Sequence, residues 1–300
     1  MIPAAVGQVA RFRQYLAKER RLSAHTDSNY TRDLTALMRF CAQEGIADWP
    51  DLEHAQVRLF AARSHAGGLA PRSVQRRLSA VRSFLNFLIR EGVLKHNCAV
   101  DVRAPKGQRR LPVTLDADTM ARLLEIPAAE PLAVRDRAIM ELLYSSGLRL
   151  AELVGLNLPD LNPADRTVRV LGKGSKTRVV PVGSKALAAL AEWLQARREL
   201  VRDGNGAVFV GSTGRRLGAR AIQKRVEYWA LRQGLPMHVH PHLFRHSFAS
   251  HLLESSGQLR AVQELLGHAD IATTQVYTHL DFQHLARIYD ASHPRARRKA

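Results

Sequence analysis

Sulfur ligands are nearly absent: the 300 residues hold only two cysteines, Cys41 and Cys98, and no C-x-x-C pair. That count and spacing exclude a disulfide framework and a thiolate zinc site. Long apolar runs are missing too, since none approaches the roughly 20 residues that cross a bilayer. The opening MIPAAVGQVARFRQYLAKE is amphipathic, with no apolar core followed by a cleavage site. A cytoplasmic, reducing location is the expectation. Neither H-E-x-x-H nor a carboxylate cluster occurs. GKGSKT holds a Gly-Lys pair, but not in the order of a P-loop, where Gly-Lys-Ser/Thr follows an earlier glycine by four residues. No cofactor and no metal are therefore expected.

Acidic charge is the last scarcity. Asp and Glu number 27 against 45 Lys and Arg, a formal charge of +18. Apolar residues still make up 46%, so the chain is globular rather than a basic disordered tail. Its length suffices for two domains, each with its own core. Such a surplus on a folded chain points to a polyanion, above all nucleic acid, where each neutralised phosphate releases a counterion. The plainer reading is an arginine-heavy composition with no bearing on partners.

The pattern predicts a mainly α protein with a small antiparallel β-sheet, an α+β chain of two domains. Residues 1–95 read as a helical N-terminal domain. Val74, Leu78, Val81, Leu85 and Leu88 recur at steps of four and three, as do Tyr30, Leu34, Leu37 and Cys41 in a helix starting near Ser28. Another helix is expected over Gln56–His65, before the Gly67-Gly68 break and the Pro71 start of the next. Arg72, Arg76, Arg77, Arg82 and Arg90 fall largely off the apolar face; they are either a solvated surface or contacts to a DNA backbone. Residues 96–113 are polar, basic and aperiodic, a linker by composition. The second domain then spans 114–300, with a C-terminal tail. It opens with Asp116 as helix cap, then a helix over Val134–Ser146 stopped by Gly147. LRLAELVGL is a short helix, and RTVRVLGKGSKTRVVPV a hairpin. A helix capped by Ser184 follows to Leu200, facing Leu187, Leu190 and Leu194 inward, then a strand at Ala207–Val210. Helices near Ala219–Gln233, His242–Glu254 and Leu259–Leu266 complete the domain.

The chemistry gathers in a few residues. Arg149 follows the Gly147 break, and Glu152, three residues on, can hold its guanidinium through a charged pair. Alone it reads as a surface arginine. Lys173 sits between Gly172 and Gly174 in the hairpin turn, where glycines let a phosphate approach; it is either a solvated turn lysine or a cation and proton donor. His242 and Arg245 are three apart on one helix and can share a ligand. His238, His240, His242 and His246 look like a metal cluster, but no carboxylates support one and Pro241 breaks the alternation. His268 after Gly267 reads as a helix cap, and Tyr277 as an amphipathic core residue. Taken together, guanidinium, imidazole and phenol make a site for attack on a phosphate.

Arg149, Lys173, His242-x-x-Arg245, His268 and Tyr277 resemble, in order and context, the catalytic set of the tyrosine recombinases, the phage integrase family. The resemblance spans nearly the whole chain. Arg245 to His268 is 23 residues and Arg245 to Tyr277 is 32, which fits the bacterial Xer branch. It implies a core-binding domain followed by a catalytic domain, and Tyr277 as nucleophile, giving a 3′-phosphotyrosine and a free 5′-hydroxyl. The arginines and histidines would hold the phosphate, and Lys173 would protonate the leaving oxygen. It also implies double-stranded DNA carrying a dif-like site, a XerD-type recombinase joined in a heterotetramer on two sites, and a DNA translocase as a candidate activator. The role would be resolution of chromosome dimers before cell division. In the tail, Leu280, Phe282, Leu285 and Ile288 form a stretch too short to fold alone, which must dock on its own domain or on a neighbouring subunit. Two other readings share the chemistry or the fold: a type IB topoisomerase, and a DNA-binding regulator without catalysis.

Overall fold

The structure, a computed structural model, describes residues 2–18, 24–107, 114–127, 129–172, 177–201, 204–235 and 237–256. Contacts divide the chain into two units, Met1–Arg110 and Leu111–Ala300. The expected helix over Leu259–Leu266 and the tail lie outside the described residues.

Among the described residues, the first unit holds the α-helices α1 (Pro3–Lys18), α2 (Ala24–Gln43), α3 (His54–Ala66) and α4 (Pro71–Arg90). α2 begins a turn earlier than the sequence pattern suggested. Asp27 in its first turn suits the helix dipole and meets Arg13 at 3.1 Å. The five periodic positions of α4, from Val74 to Leu88, are each fully buried. Phe12 and Trp49 close the same core, with the Trp49 indole donating to the Ala5 carbonyl at 2.9 Å.

The arginines of α4 behave differently from either sequence reading. Arg76 and Arg77 both pair with Asp33, whose side chain is completely buried. Arg77 also donates to Ser64 Oγ at 2.9 Å and lies over the Phe60 ring. Arg90 stacks on Tyr15, its guanidinium carbon 4.2 Å from the ring centroid. Arg82 donates to the Ala99 carbonyl at 2.9 Å and to that of Val102. Four of the five are thus engaged inside the unit, and only Arg72 stands exposed with no such contact among the described residues. A helical wheel cannot see this, because the partners lie on other elements. The start of the expected linker is docked as well: Ala99 and Val102 are buried against the first core. Its polar composition hid two small apolar side chains that Arg82 straps down.

The second unit is mainly helical around a small sheet: α5 (Ala117–Leu124), α6 (Pro131–Ser146), α7 (Leu150–Gly155), β1 (Leu161–Asn162), β2 (Thr167–Leu171), β3 (Thr177–Pro181), α8 (Ser184–Leu200), α9 (Ala219–Arg232) and α10 (Pro241–Ser256). The sheet is antiparallel in the order β1-β2-β3, with Val168 opposite Val180 and Arg169 opposite Val179. α6 is the spine. It packs on α8 and α10 and touches α5, α7, α9 and β3. Every residue from Ala138 onward is buried, so its charged members need internal partners. Asp136, just before that stretch and buried too, has them: Arg135 at 2.7 Å, Arg225 at 2.5 Å and the Trp229 indole at 2.9 Å.

Three local expectations change. α6 starts at Pro131, whose fixed φ suits a first helical turn, instead of Val134. Gly183 rather than Ser184 caps α8; its amide donates to Ser145 Oγ at 2.6 Å. Ala207–Val210 is no strand. Its four side chains are buried, but it forms only single bridges, Asn157 with Ala207 and Val210 with Arg216. Apolar content reported burial there, and among the described residues no neighbouring strand makes a ladder with it. Asp116 does cap α5, accepting from the Thr119 amide at 2.8 Å, and Gly147 ends α6 in the left-handed region at φ 55°. Among the described residues no helix is long and apolar enough to cross a membrane.

Asp33→Ala would leave the largely enclosed Arg77 without its anion. Loss of one partner of such a pair should destabilise the first unit by about 3 kcal/mol. Urea unfolding followed by circular dichroism checks this, and an unchanged midpoint would mean the arginines are satisfied without Asp33.

Candidate active site

The site is built on the corner where α6 ends. Gly147 takes the positive φ that turns the chain, Leu148 is buried, and Arg149 becomes the extended cap residue of α7. One turn into α7, Glu152 reaches back to it. The carboxylate accepts from the Arg149 backbone amide at 2.8 Å and from its guanidinium at 3.0 Å. The charged pair expected from the spacing is present.

A second guanidinium arrives from the sheet. Arg178 of β3 donates to both Glu152 oxygens, at 2.7 and 3.0 Å, the two-pronged match of guanidinium to carboxylate. The sequence reading passed over Arg178. Its signal was there: it shares strand parity with buried Val180 and is half-buried, while Thr177 and Val179 on the other face are exposed. A charged residue on the inward face of a strand demands a partner. Burial drives the Glu152 carboxyl upward, but the hydrogen bonds from Arg178 and Arg149 outweigh it and hold its pKa below the ordinary range.

The third guanidinium comes from α10. Arg245, 9% exposed, donates to the Gly147 carbonyl at 2.5 Å, so the helix end that turns the chain also fixes the arginine. Burial lowers its pKa to about 10, with the Arg149 and Arg178 charges adding to the effect and Glu152 opposing it. It remains a cation at neutral pH. α10 is itself held from two sides. Ser247 Oγ accepts from the Leu115 amide at 2.9 Å, and the Tyr144 hydroxyl of α6 meets His251 Nδ1 at 2.8 Å.

His242 stands one turn before Arg245, at the start of α10, with its ring reaching the surface. Partial burial lowers its pKa, helped by His246, Arg245 and Arg149, so the neutral imidazole is favoured. The rings of His238, His240 and His242 stand in a row, 5.9 and 6.3 Å apart between centroids. His240 is likewise held low, by burial and then by its three histidine neighbours. The structure therefore brings Arg149, His242 and Arg245 together. Lys173, His268 and Tyr277 lie outside the described residues. Two fixed cations beside a neutral imidazole suit an oxyanion with more than one charged oxygen.

Comparison with known proteins agrees with this frame. The model of the phage integrase family matches residues 113–284, and that of the phage integrase N-terminal SAM-like domain matches residues 9–92. The chain belongs to the phage integrase family and is a tyrosine recombinase, an enzyme of site-specific DNA recombination. Within the family it resembles tyrosine recombinase XerC. It is 52% identical to the XerC of Serratia marcescens over 99% of this chain and 97% of that protein. Identity to the XerC of Pseudomonas syringae pv. tomato is 56%, over 95% of each. Among solved structures, the XerH site-specific recombinase bound to palindromic difH substrate shares the fold, with a TM-score of 0.69 at 21% identity, over 95% of this chain and 81% of that one.

The depressed histidines make stability depend on pH. In the unfolded chain His242 titrates near 6.5; in the folded protein it titrates lower, so the unfolded state binds more protons in between. The stabilisation is complete above 6.5 and is lost as pH falls through the folded value. Urea midpoints should thus decline from pH 7.5 to pH 5, and His242→Gln should flatten that slope. A slope that steepens or stays the same in the variant would contradict the assignment.

Proposed function

We propose that the enzyme cuts and rejoins DNA through Tyr277, which attacks a phosphodiester to form a 3′-phosphotyrosine and release a 5′-hydroxyl. Arg149, Arg245, His242 and His268 stabilise the charge on the five-coordinate phosphate, as donors in an oxyanion hole do. Lys173 protonates the departing 5′-oxygen. Attack by the 5′-hydroxyl of a partner strand reverses the step and completes the exchange. The covalent link conserves the bond energy, so the balance needs no nucleoside triphosphate. The observation that carries this reading is the convergence of Arg149 and Arg245 on the Gly147 corner, with Glu152 held by Arg178 behind them.

In the same reading, residues 1–95 form the core-binding domain, 96–113 a basic linker and 114–300 the catalytic domain with its tail. The surplus of 45 Lys and Arg over 27 Asp and Glu suits a duplex partner. The likeness to XerC, at 52–56% identity in the two relatives above, favours action in the cytoplasm at a dif-like site. The enzyme would act there with a XerD-type recombinase, as a heterotetramer on two sites, to resolve chromosome dimers before cell division. A DNA translocase is the candidate activator. XerH, bound in its structure to difH, is a neighbour in fold alone.

The test is cleavage of a suicide substrate, with and without a XerD-type partner. Tyr277→Phe should bind DNA and form no covalent adduct; adduct at wild-type level would sink the assignment. Arg245→Ala should slow cleavage by about 10²–10³, the loss expected for one oxyanion donor. Cleavage should persist in EDTA, because guanidinium groups supply the positive charge.

A further inference from the structure

We infer that Arg178 is a positioning residue of this active site: by engaging both oxygens of Glu152, it keeps that carboxylate from cancelling the charge Arg149 presents to the DNA phosphate. The inference rests on the reading of Arg149 as a phosphate-binding group. Glu152 is buried and touches two guanidinium groups at once. Its bonds are not shared equally. Arg178 takes both oxygens with two nitrogens, whereas Arg149 reaches one oxygen with a single guanidinium nitrogen, its second bond coming from the backbone amide.

The charge balance follows from that division. A carboxylate facing Arg149 alone would cancel most of its positive charge, and a phosphate would meet a neutral pair. With Arg178 present, the three groups together carry a net single positive charge. Arg149 is also the more open of the two, its side chain 38% exposed against 20% for Arg178. The open cation is the one placed to meet a ligand; the enclosed one serves the carboxylate. Arg178 and Arg149 both act on Arg245 electrostatically, so the whole group forms one field.

There is a second consequence of where Arg178 sits. It lies on β3, one residue after Thr177, whereas Glu152 lies on α7. The ion pair therefore ties the sheet to the helix that carries Arg149 at its start. Rotation of the strand away from α7 would break two charge-assisted bonds in a largely enclosed place. Position and charge are set by the same contact.

The experiment uses the full chain in single-turnover cleavage of a suicide substrate. Arg178→Met keeps the aliphatic stem but removes the charge, and should slow cleavage by about 10- to 100-fold, the effect of losing a partner that orients an active-site group. DNA binding by gel shift and the melting temperature are measured alongside. The deciding variant is the double substitution Arg178→Met with Glu152→Gln. The new side-chain amide still offers one acceptor to Arg149 but no negative charge, so cleavage should recover relative to Arg178→Met alone. Arg178→Lys, a cation with one donor group, should fall between wild type and Arg178→Met. Wild-type cleavage by Arg178→Met would overturn the inference, and so would a double variant no faster than the single one, which would make Arg178 a structural tie only. Failure of the site reading itself is separate: it would show as slow cleavage in none of the arginine variants, Arg149→Ala included.

Discussion

One buried carboxylate organises the catalytic unit. Glu152 receives Arg149 from its own helix start and Arg178 from the sheet, and without them its burial would carry a penalty of several kcal/mol. A lone buried carboxylate would take up a proton. Two cations keep it ionised, and it holds them in fixed directions in return. The short α7 and the small sheet are joined at this point as well as through the shared core that holds Leu153, Val168 and Val170.

The rest of the unit serves to keep the corner in register. α6 runs buried through the middle and ends at Gly147, whose carbonyl is the anchor for Arg245. Its buried Asp136 is answered internally, by Arg135, Arg225 and Trp229. Buried polar groups of this sort have few alternative arrangements, since any shift leaves one unsatisfied. Rigidity matters because a phosphoryl-transfer site gains its rate from donors already in place when charge develops. The Ser247 and Tyr144 contacts lock α10 to the same frame, so His242 and Arg245 share the precision of α6.

The first unit shows the same habit in a different setting. Asp33 gathers Arg76 and Arg77, and Arg82 straps the chain after α4 onto the core. The positive surplus of the whole chain is thus not all surface charge. Arginine is used here as internal joinery, its planar fork bridging elements that apolar packing alone leaves loose. Arg72 and Arg90 are the exposed arginines of α4, and of the two only Arg72 lacks a contact of this kind among the described residues.

Sequence alone determined the helical class, the core faces of α2 and α4, the Asp116 and Gly147 caps, and the pairing of Arg149 with Glu152. Each depends on neighbours within about one helical turn, where spacing and geometry are nearly the same thing. The presence of Arg149, His242 and Arg245 in one site was legible only through the resemblance to a family, because nearly a hundred residues separate the first from the other two. Tertiary structure decided what spacing cannot carry. It chose the partners of the α4 arginines, refused Ala207–Val210 a strand by giving it no ladder, and docked Ala99 and Val102 where composition showed a linker. It also brought Arg178 to Glu152. A strand residue and a helix residue 26 positions apart meet only after the sheet has packed on α7, and no local pattern encodes that meeting.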